Sequence, residues 1–241
     1  MTEKLPVLLF QLGEAPEPVK QVFGCYPRWY ERAWGGPLQV HDGRARGRLP
    51  DPKDFAGIVV TGSRSSLAEV EREPWIDDAA DLVKRAHACG TPTFGVCFGH
   101  QLVAHAFGAR VVRNPKGWEI GSHDVEVNDD GHRDPLFAGL PRRLRVNLTH
   151  EDIVDPSSLE GTGLRNLAAS SRCHVQVLAV DDHVRTVQFH PEIDGAICRA
   201  YIESRRRLLV DQDADALLAG TADSAHGVAV MKNFKTSFVK R

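Results

Sequence analysis

Short apolar runs alternate with longer amphipathic stretches along the first half of the chain. Runs such as "AGIVVT", rich in β-branched residues, are typical of strands that are buried on both faces of a sheet. The pattern predicts four strands, at Leu5 to Leu12, Pro37 to His41, Ala56 to Thr61 and Thr93 to Val96. It also predicts helical segments between and after them, at Pro16 to Trp34, Pro74 to Gly90 and Phe98 to Phe107. This alternation favours an α/β fold with a largely parallel sheet and right-handed crossovers.

The second half of the chain shows short β-type runs divided by turns. These runs predict antiparallel additions to the same sheet, at Val111 to Arg113, Ile120 to Val127, Leu144 to Leu148, Leu164 to Ala168, Val175 to Val180 and Arg185 to Phe189. The last stretch, Ile193 to Arg241, is helical in composition and period, with a break near Gly220. We therefore expect a three-layer α/β sandwich with a central, mainly parallel sheet and helices on both faces.

Chain length limits the number of domains. The 241 residues are ample for one sizeable hydrophobic core and marginal for two, and they contain no internal repeat, low-complexity tract or long linker. We therefore expect a single domain over residues 1–241. Its core is expected at about residues 5–205, with a helical C-terminal extension at about residues 206–241.

Charge and cysteine content argue against several classes of function. A formal net charge of -2 gives no electrostatic reason to expect nucleic acid or an anionic membrane as the partner. No apolar run suits a signal peptide or a membrane span, so we expect a cytoplasmic protein. The five cysteines are scattered and form no C-x-x-C pair, which argues against a disulfide framework and a zinc site. We expect no metal and no cofactor.

One cysteine stands where a reactive side chain would be useful. Cys97 follows a predicted strand, and ligands of open α/β sheets gather at the carboxyl ends of strands. "GVCFG" has the G-x-nucleophile-x-G form of a sharp strand-to-helix turn, in which Gly95 and Gly99 leave room for close backbone approach. The following helix N-terminus would stabilise a thiolate, and the Phe98 N–H would face an oxyanion. The alternative is that Cys97 is a small apolar residue in a tight turn.

A candidate base and the group that could orient it stand together in "TVQFHPEI". Pro191 favours extended backbone at His190 and ends the strand. His190 and Glu192 are two residues apart, so their side chains leave the same side of an extended backbone and can hydrogen-bond. For most other histidines a structural role is the simpler interpretation. His100 and His105 lie on different helix faces, which disfavours a two-histidine metal site.

The motifs "GVCFGHQL" and "FHPE" together resemble the class I (triad) glutamine amidotransferase family, from about residue 5 to residue 205. The resemblance implies a flavodoxin-like α/β fold. It also implies a triad in which Cys97 is the nucleophile, His190 the general base and then acid, and Glu192 the residue that orients His190. The implied reaction is hydrolysis of the γ-glutamyl amide of glutamine, or of another γ-glutamyl compound, through a γ-glutamyl thioester on Cys97.

The same resemblance assigns residues around the triad. "GIVVTGSRSS" matches the oxyanion loop of the family, although Ser63 stands where many relatives have a second glycine. The implied oxyanion donors are the backbone N–H groups of Ser63 and Phe98. "LTHED" resembles a segment that lies near the substrate's α-amino and carboxylate groups. The implied substrate-binding residues are Gly62, Gln101, His150 and Asp152.

The sequence leaves the fate of the released amine open. It contains neither a P-loop nor an ATP-pyrophosphatase-like Ser-Gly-Gly run, so we expect no synthetase site in this chain. Either ammonia goes to a separate synthetase subunit, or the chain is a stand-alone γ-glutamyl hydrolase. The Gly-Ser oxyanion loop and "KGWEIG" are similar to stand-alone relatives and favour the second. A non-catalytic regulatory protein of the same fold and a redox-sensing cysteine are the remaining alternatives.

Overall fold

The computed structural model describes residues 5–45, 47–69 and 73–239, and β-strands form its centre. The strands are β1 (Val7–Gln11), β2 (Gln39–Asp42), β3 (Gly57–Val60), β4 (Thr93–Val96), β5 (Val111–Arg113), β6 (Glu119–Val127), β7 (Arg143–His150), β8 (Asp152–Val154), β9 (Arg165–Ala169), β10 (Val177–Val180) and β11 (Val184–Val187). Nine of them form one sheet in the order β2-β1-β3-β4-β11-β10-β9-β6-β7. β5 and β8 pair with each other in a small second sheet.

The large sheet joins a parallel part to an antiparallel part. β2, β1, β3, β4 and β11 run parallel to one another. β10, β9, β6 and β7 continue the sheet, each antiparallel to its neighbour. The predicted α/β fold with antiparallel additions is therefore confirmed.

Two strands differ from the prediction. Val111–Arg113 was expected in the main sheet, but it pairs with Asp152–Val154. The physical reason is that Val111 and Val154 bury their side chains among α-helical residues on one face of the main sheet. The predicted strand at Arg185 to Phe189 was expected as an antiparallel addition. It pairs antiparallel with β10 but lies parallel to β4 on its other side, because the hairpin returns the chain to the parallel part.

The helices are α1 (Glu17–Phe23), α2 (Tyr26–Trp34), α3 (Trp75–Ala88), α4 (Phe98–Ala106), α5 (Asp129–Arg133), α6 (Gly195–Arg205), α7 (Ala214–Gly220) and α8 (Ala225–Ser237). The predicted segment Pro16 to Trp34 is two helices, since Gly24 has φ 76° and ends the first of them. α5 carries no apolar period and was not predicted. The predicted break near Gly220 is present. Residues 1–4 and the end of the C-terminal helical prediction, residues 240–241, lie outside the described residues.

Helices cover both faces of the large sheet, as predicted. The side chains of β3 alternate between the two faces. Ile58 and Val60 pack with α3 and α4, whereas Val59 packs with α2, α6 and α8. Burial on both faces explains why this strand is an unbroken apolar run. None of the described helices combines the length and the apolar character that crossing a bilayer requires.

The parallel strands bring the two sequence motifs to one edge of the sheet. β4 and β11 are neighbours, and their last residues, Val96 and Val187, are paired. The Cys97 N–H donates a hydrogen bond to the Val187 carbonyl at 2.9 Å. Cys97 and the "FHPE" segment therefore leave the sheet side by side at the carboxyl ends of parallel strands, where α/β proteins place their ligand sites.

A buried ion pair anchors β11. The Arg185 guanidinium approaches Asp134 through two nitrogens, each 2.9 Å from the same carboxylate oxygen, and both side chains are 4% exposed. Arg185 also lies over the ring of Phe238, 4.8 Å from its centre. The pair thus joins the strand before His190 to the segment after α5 and to the end of α8.

We expect Asp134→Ala to lower the free energy of unfolding by about 3–5 kcal/mol, because it leaves the buried Arg185 cation without its carboxylate. Urea unfolding followed by circular dichroism measures the change. The matched control is Asp129→Ala, which removes an exposed carboxylate 2.7 Å from Arg142 and should hardly move the urea midpoint. Equal midpoints for the two variants would show that the buried pair does not stabilise the fold.

Candidate active site

Cys97 occupies the sharp turn between β4 and α4. Its backbone has φ 53° and ψ -103°, a conformation that costs a non-glycine residue about 1–3 kcal/mol. The turn is held on both sides, because the Cys97 N–H donates to Val187 and its carbonyl accepts from the Gln101 N–H at 3.1 Å. Cys97 is the N-cap residue of α4, so its side chain stands at the positive end of the helix dipole.

Gly95 and Gly99 permit this turn by allowing backbone atoms to approach closely. A Cβ at Gly95 would lie 2.6 Å from the Gly99 carbonyl oxygen. A Cβ at Gly99 would lie 2.5 Å from the Val60 carbonyl oxygen on β3. Both distances are shorter than any real carbon–oxygen contact, so a side chain at either position would push α4 away from the sheet.

His190 and Glu192 lie in a turn just beyond β11, and not on the extended backbone that the sequence predicted. The Ile193 N–H donates back to the His190 carbonyl at 3.4 Å. The predicted contact is nevertheless present, since His190 Nδ1 lies 2.7 Å from Glu192 Oε1 and both residues are buried. Asn147 on β7 holds both ends of the turn by hydrogen bonds. Its backbone carbonyl accepts from the His190 N–H at 2.8 Å, and its side-chain amide donates to the Ile193 carbonyl at 3.0 Å.

The imidazole of His190 lies between two groups that can carry negative charge. Burial lowers its pKa, but the Glu192 carboxylate and the Cys97 thiolate raise it more, and the pKa of His190 is raised to about 10. Its Nε2 is buried and bonded to no oxygen or nitrogen of the described residues, and hydrogen bonding to the Cys97 sulfur also raises the pKa of His190. An imidazole with one nitrogen bonded to a carboxylate and the other next to a thiol is the arrangement expected of a base that serves a thiol nucleophile.

Gly62 lies where the loop after β3 passes the triad. A Cβ at Gly62 would be 3.4 Å from His190 Cε1 and 3.6 Å from Cys97 Cβ, so this backbone packs against both side chains. The Gly62 N–H donates to the Tyr30 hydroxyl at 3.3 Å. That N–H is therefore already bonded within the protein, and the substrate-binding role that the sequence suggested for Gly62 stays a prediction.

Two other backbone N–H groups are available for an oxyanion. Phe98 is the first residue of α4, so its N–H has no acceptor within the helix. The Ser63 N–H forms no hydrogen bond to any residue that the structure describes, while the Ser63 hydroxyl accepts from the Ser65 N–H at 3.2 Å and turns the loop. Ser63 has no positive φ, so the turn does not require a second glycine at this position.

A cavity of about 520 Å³ opens above Cys97, a size that suits a small molecule. Five of the nine predicted site residues line it: Ser63, Cys97, Gln101, His150 and Asp152. The other four are buried outside its lining: Gly62, Phe98, His190 and Glu192. The cavity therefore reaches the sulfur of the candidate nucleophile, while the candidate base stays shielded from solvent.

Asp152 presents a fixed carboxylate to the cavity. One oxygen accepts from the Ser66 hydroxyl at 2.5 Å, and the other lies 3.1 Å from the Arg113 guanidinium. The side-chain amide of Gln101 donates to the Asp152 carbonyl at 2.9 Å and to the Gln188 side chain at 3.0 Å. These hydrogen bonds join α4, β8 and the loop after β3 in one wall of the cavity.

His150 is held on both sides of its ring. Nε2 lies 2.9 Å from Glu119 Oε2, and Nδ1 lies 3.0 Å from the Asp152 carbonyl oxygen. Because both nitrogens are occupied, His150 shapes the cavity wall and does not offer a ring nitrogen to a ligand. The sequence suggested His150 as a residue of the binding pocket, and the structure places it in the lining of the cavity.

Glu119, His150 and Cys173 also form a buried group whose possible ligand atoms lie within 4.8 Å of one another. These are residue types that bind metals, and the sequence did not predict the group. Glu119 already accepts hydrogen bonds from His150, from Ser170 at 2.6 Å and from Gln176 at 2.9 Å. Burial raises the pKa of the Cys173 thiol to about 12. The group therefore fits a buried polar network that fixes His150 better than an open set of metal ligands.

Sequence reasoning missed three residues that build the site: Tyr30, Glu119 and Asn147. Each acts on a segment far away along the chain, so no local spacing connects it to its partner. The one available signal was "KGWEIG", which contains Glu119 and resembles stand-alone relatives.

Comparison with known proteins agrees with the fold and the motifs. The model of the class-I glutamine amidotransferase family matches residues 44–201, and the chain belongs to this family. Gamma-glutamyl peptidase 2 of Arabidopsis thaliana is 25% identical over 239 residues, which cover 94% of each chain. A glutamine-hydrolyzing GMP synthase of Thermomicrobium roseum is 35% identical over 137 residues, which cover 57% of this chain and 23% of that protein. A solved glutamine amidotransferase from Thermotoga maritima shares the fold, with a TM-score of 0.76 over 99% of this chain and 100% of that chain at 21% identity.

We expect Gly99→Ala to destabilise the protein by about 1–3 kcal/mol, because the added methyl group would overlap the Val60 carbonyl. Thermal and urea unfolding measure the effect. Gly220→Ala is the matched control: a Cβ there meets no atom within 4 Å, so stability should be unchanged or slightly higher. A Gly99→Ala protein as stable as the control would contradict the close approach of helix and strand.

We expect Glu192→Gln to lower the pKa of His190 by about 1–3 units, because the variant removes a carboxylate that favours the imidazolium. In the wild type the charged form is present below pH 10 and is lost as the pH rises through about 10. In the variant the loss moves to lower pH. NMR titration of the histidine Cε1–H signals measures the shift, with the other histidines as internal controls. An unchanged His190 titration would show that Glu192 does not act on it.

Proposed function

We propose that the chain is a stand-alone thiol hydrolase that cleaves the γ-glutamyl amide of glutamine or of another γ-glutamyl compound. The observation that carries the proposal is the strained Cys97 at the floor of a cavity, with the hydrogen-bonded His190 and Glu192 buried next to it. Membership of the class-I glutamine amidotransferase family and the similarity to gamma-glutamyl peptidase 2 support chemistry of this kind.

The first chemical step forms a thioester. The Cys97 thiolate attacks the γ-carbonyl carbon, and the N–H groups of Ser63 and Phe98 hold the resulting oxyanion. The carbon–nitrogen bond then breaks as the His190 imidazolium gives its proton to the leaving amine. Glu192 keeps the imidazole oriented throughout this transfer.

The second step releases glutamate. The neutral His190 takes a proton from water, and the hydroxide attacks the thioester carbon. Collapse of the second tetrahedral intermediate breaks the carbon–sulfur bond and returns Cys97 as a thiolate beside the His190 imidazolium. The enzyme is restored without any further reactant.

The wall formed by α4 and β8 suits the glutamyl half of the substrate. The Asp152 carboxylate would attract an α-ammonium group, and its position is fixed by Ser66 and Arg113. Gln101, fixed through its amide, lines the same wall. In this proposal His150 binds no substrate atom but keeps Asp152 in place through its bond to the backbone carbonyl.

A glutaminase subunit that delivers ammonia to a separate synthetase chain is the second candidate. The similarity to part of a glutamine-hydrolyzing GMP synthase favours it, since the match covers 23% of that protein. The match to gamma-glutamyl peptidase 2 over 94% of both chains favours the stand-alone hydrolase. The two candidates differ in the amine that they release, and therefore in the substrates that they turn over without a partner.

Two non-hydrolytic alternatives make different demands on the triad. A regulatory protein of the same fold could lose one of Cys97, His190 and Glu192, yet all three are present. A redox-sensing cysteine does not need a buried histidine paired with a carboxylate. The retained contact of 2.7 Å between His190 and Glu192 therefore favours hydrolysis over both.

We expect Cys97→Ala to fold like the wild type and to release no glutamate, because alanine is small enough for the turn but has no sulfur. Glutamate release from glutamine and from a panel of γ-glutamyl dipeptides measures the activity. Cys89→Ala is the matched control, since Cys89 is an exposed free cysteine, and it should be fully active.

Release that depends on Cys97 and favours the dipeptides would support the stand-alone hydrolase. Release from glutamine alone would favour the ammonia-delivering subunit. Normal turnover by Cys97→Ala would contradict both catalytic proposals.

A further inference from the structure

Arg205, the last residue of α6, has its guanidinium over two aromatic rings, those of Tyr201 and Trp118. Its Cζ lies 4.7 Å from the centre of the Tyr201 ring and 5.0 Å from that of the Trp118 ring. Such stacking fixes the plane of the guanidinium and holds the cation next to apolar surface. Arg205 and Trp118 both line the cavity that contains Cys97.

The Arg205 cation has no anionic partner among the residues that the structure describes. Its Nη1 is buried and forms no hydrogen bond to them. Arg113, in the same cavity, is by contrast surrounded by acidic side chains, namely Glu69, Glu151 and Asp152. Arg205 as a whole is half-buried and lines the cavity, so an anion there would give its guanidinium an acceptor.

A chain of contacts runs from Arg205 to the candidate base, His190. The hydroxyl of Tyr201, whose ring contacts Arg205, is 3.5 Å from the Tyr26 hydroxyl. A Cβ at Gly62 would lie 4.0 Å from that Tyr26 hydroxyl and 3.4 Å from His190 Cε1. A short chain of contacts therefore connects Arg205 with His190, whereas the wall assigned to the glutamyl half is built from α4 and β8.

The leaving amine must lie beside His190, because His190 protonates it. The amine half of a substrate therefore extends from the sulfur towards the Arg205 side of the cavity. Ammonia, the amine released from glutamine, is too small to extend there. A γ-glutamyl amino acid or peptide reaches further and carries a carboxylate at the end of its amine half.

We propose that Arg205 binds a carboxylate carried by the amine half of the substrate, so that γ-glutamyl amino acids and peptides are preferred to glutamine. This inference rests on the proposed function and specifies its substrate class. The planar fork of N–H groups in arginine matches the two oxygens of a carboxylate. Arg64, an exposed residue of the same cavity lining, adds positive charge.

The test compares two substrates that differ in one group. γ-Glutamylglycine has the carboxylate, and γ-glutamylglycinamide has a neutral amide in its place. We expect Arg205→Met to lower kcat/KM for γ-glutamylglycine by about 10- to 100-fold, the range of a charge-assisted hydrogen bond, and to change kcat/KM for the amide by less than about threefold. Because both rates come from one preparation, their ratio does not depend on how much protein is folded.

Two further variants define what Arg205 contributes. Arg205→Lys keeps the charge but loses the fork, so it should recover part of the preference for γ-glutamylglycine. Arg207→Met is the matched control, since Arg207 is exposed, lies two residues from Arg205 and is outside the cavity lining. The preference of this variant for γ-glutamylglycine over the amide should equal that of the wild type. Equal losses on both substrates in Arg205→Met, or no loss on either, would overturn the proposal.

Binding to an inactive background separates this proposal from the proposed function. Calorimetry on Cys97→Ala should show tighter binding of γ-glutamylglycine than of the amide, and the difference should vanish in Cys97→Ala/Arg205→Met. If the wild-type protein released no glutamate from any γ-glutamyl substrate, the proposed function would be overturned. The binding comparison would still decide the role of Arg205, because equal affinities for the two compounds would overturn it.

Discussion

The close backbone contact between α4 and β3 is the constraint on which the site depends. Because Gly99 has no side chain, the Val60 carbonyl oxygen can lie where a Cβ would otherwise be, and the helix starts directly above the sheet. The chain then has no room for a relaxed turn, so Cys97 takes its strained conformation. The bond from its N–H to Val187 ties this strain to the strand that leads to His190. Tight packing of helix on sheet thus positions the nucleophile and the base together.

Two buried histidine–carboxylate pairs lie near the cavity, His150 with Glu119 and His190 with Glu192. They differ in what surrounds the second nitrogen of each imidazole ring. Both ring nitrogens of His150 are bonded, one to Glu119 and one to a backbone carbonyl, so the ring can only hold structure. His190 is bonded to Glu192 through Nδ1, and its Nε2 lies next to the Cys97 thiol and is bonded to no carboxylate or carbonyl. Nε2 is therefore the ring nitrogen that suits the proton transfer we propose.

The parts of the site that the sequence predicted are those with local signals. The glycines around Cys97 mark a turn, and His190 stands two residues from Glu192, although the contact arises in a turn and not on extended backbone. The direction of β11 could not be predicted, because it depends on which neighbour the hairpin meets. The role of residues such as Asn147 could not be predicted for a related reason. Their hydrogen-bond partners come from distant segments of the chain that only the folded sheet brings together.

In the function that we propose, the two walls of the cavity would recognise different halves of a γ-glutamyl amide. The wall of α4 and β8 carries the Asp152 carboxylate, which shares the Arg113 guanidinium with Glu69 and Glu151. The other wall carries the positive charge of Arg205, the last residue of α6. This helix begins three residues after Glu192. The residue that would protonate the leaving amine, His190, and the residue that would bind its carboxylate, Arg205, therefore belong to one short stretch of chain. Changes at the end of α6 can alter which amine is accepted while the strained turn at Cys97 stays as it is.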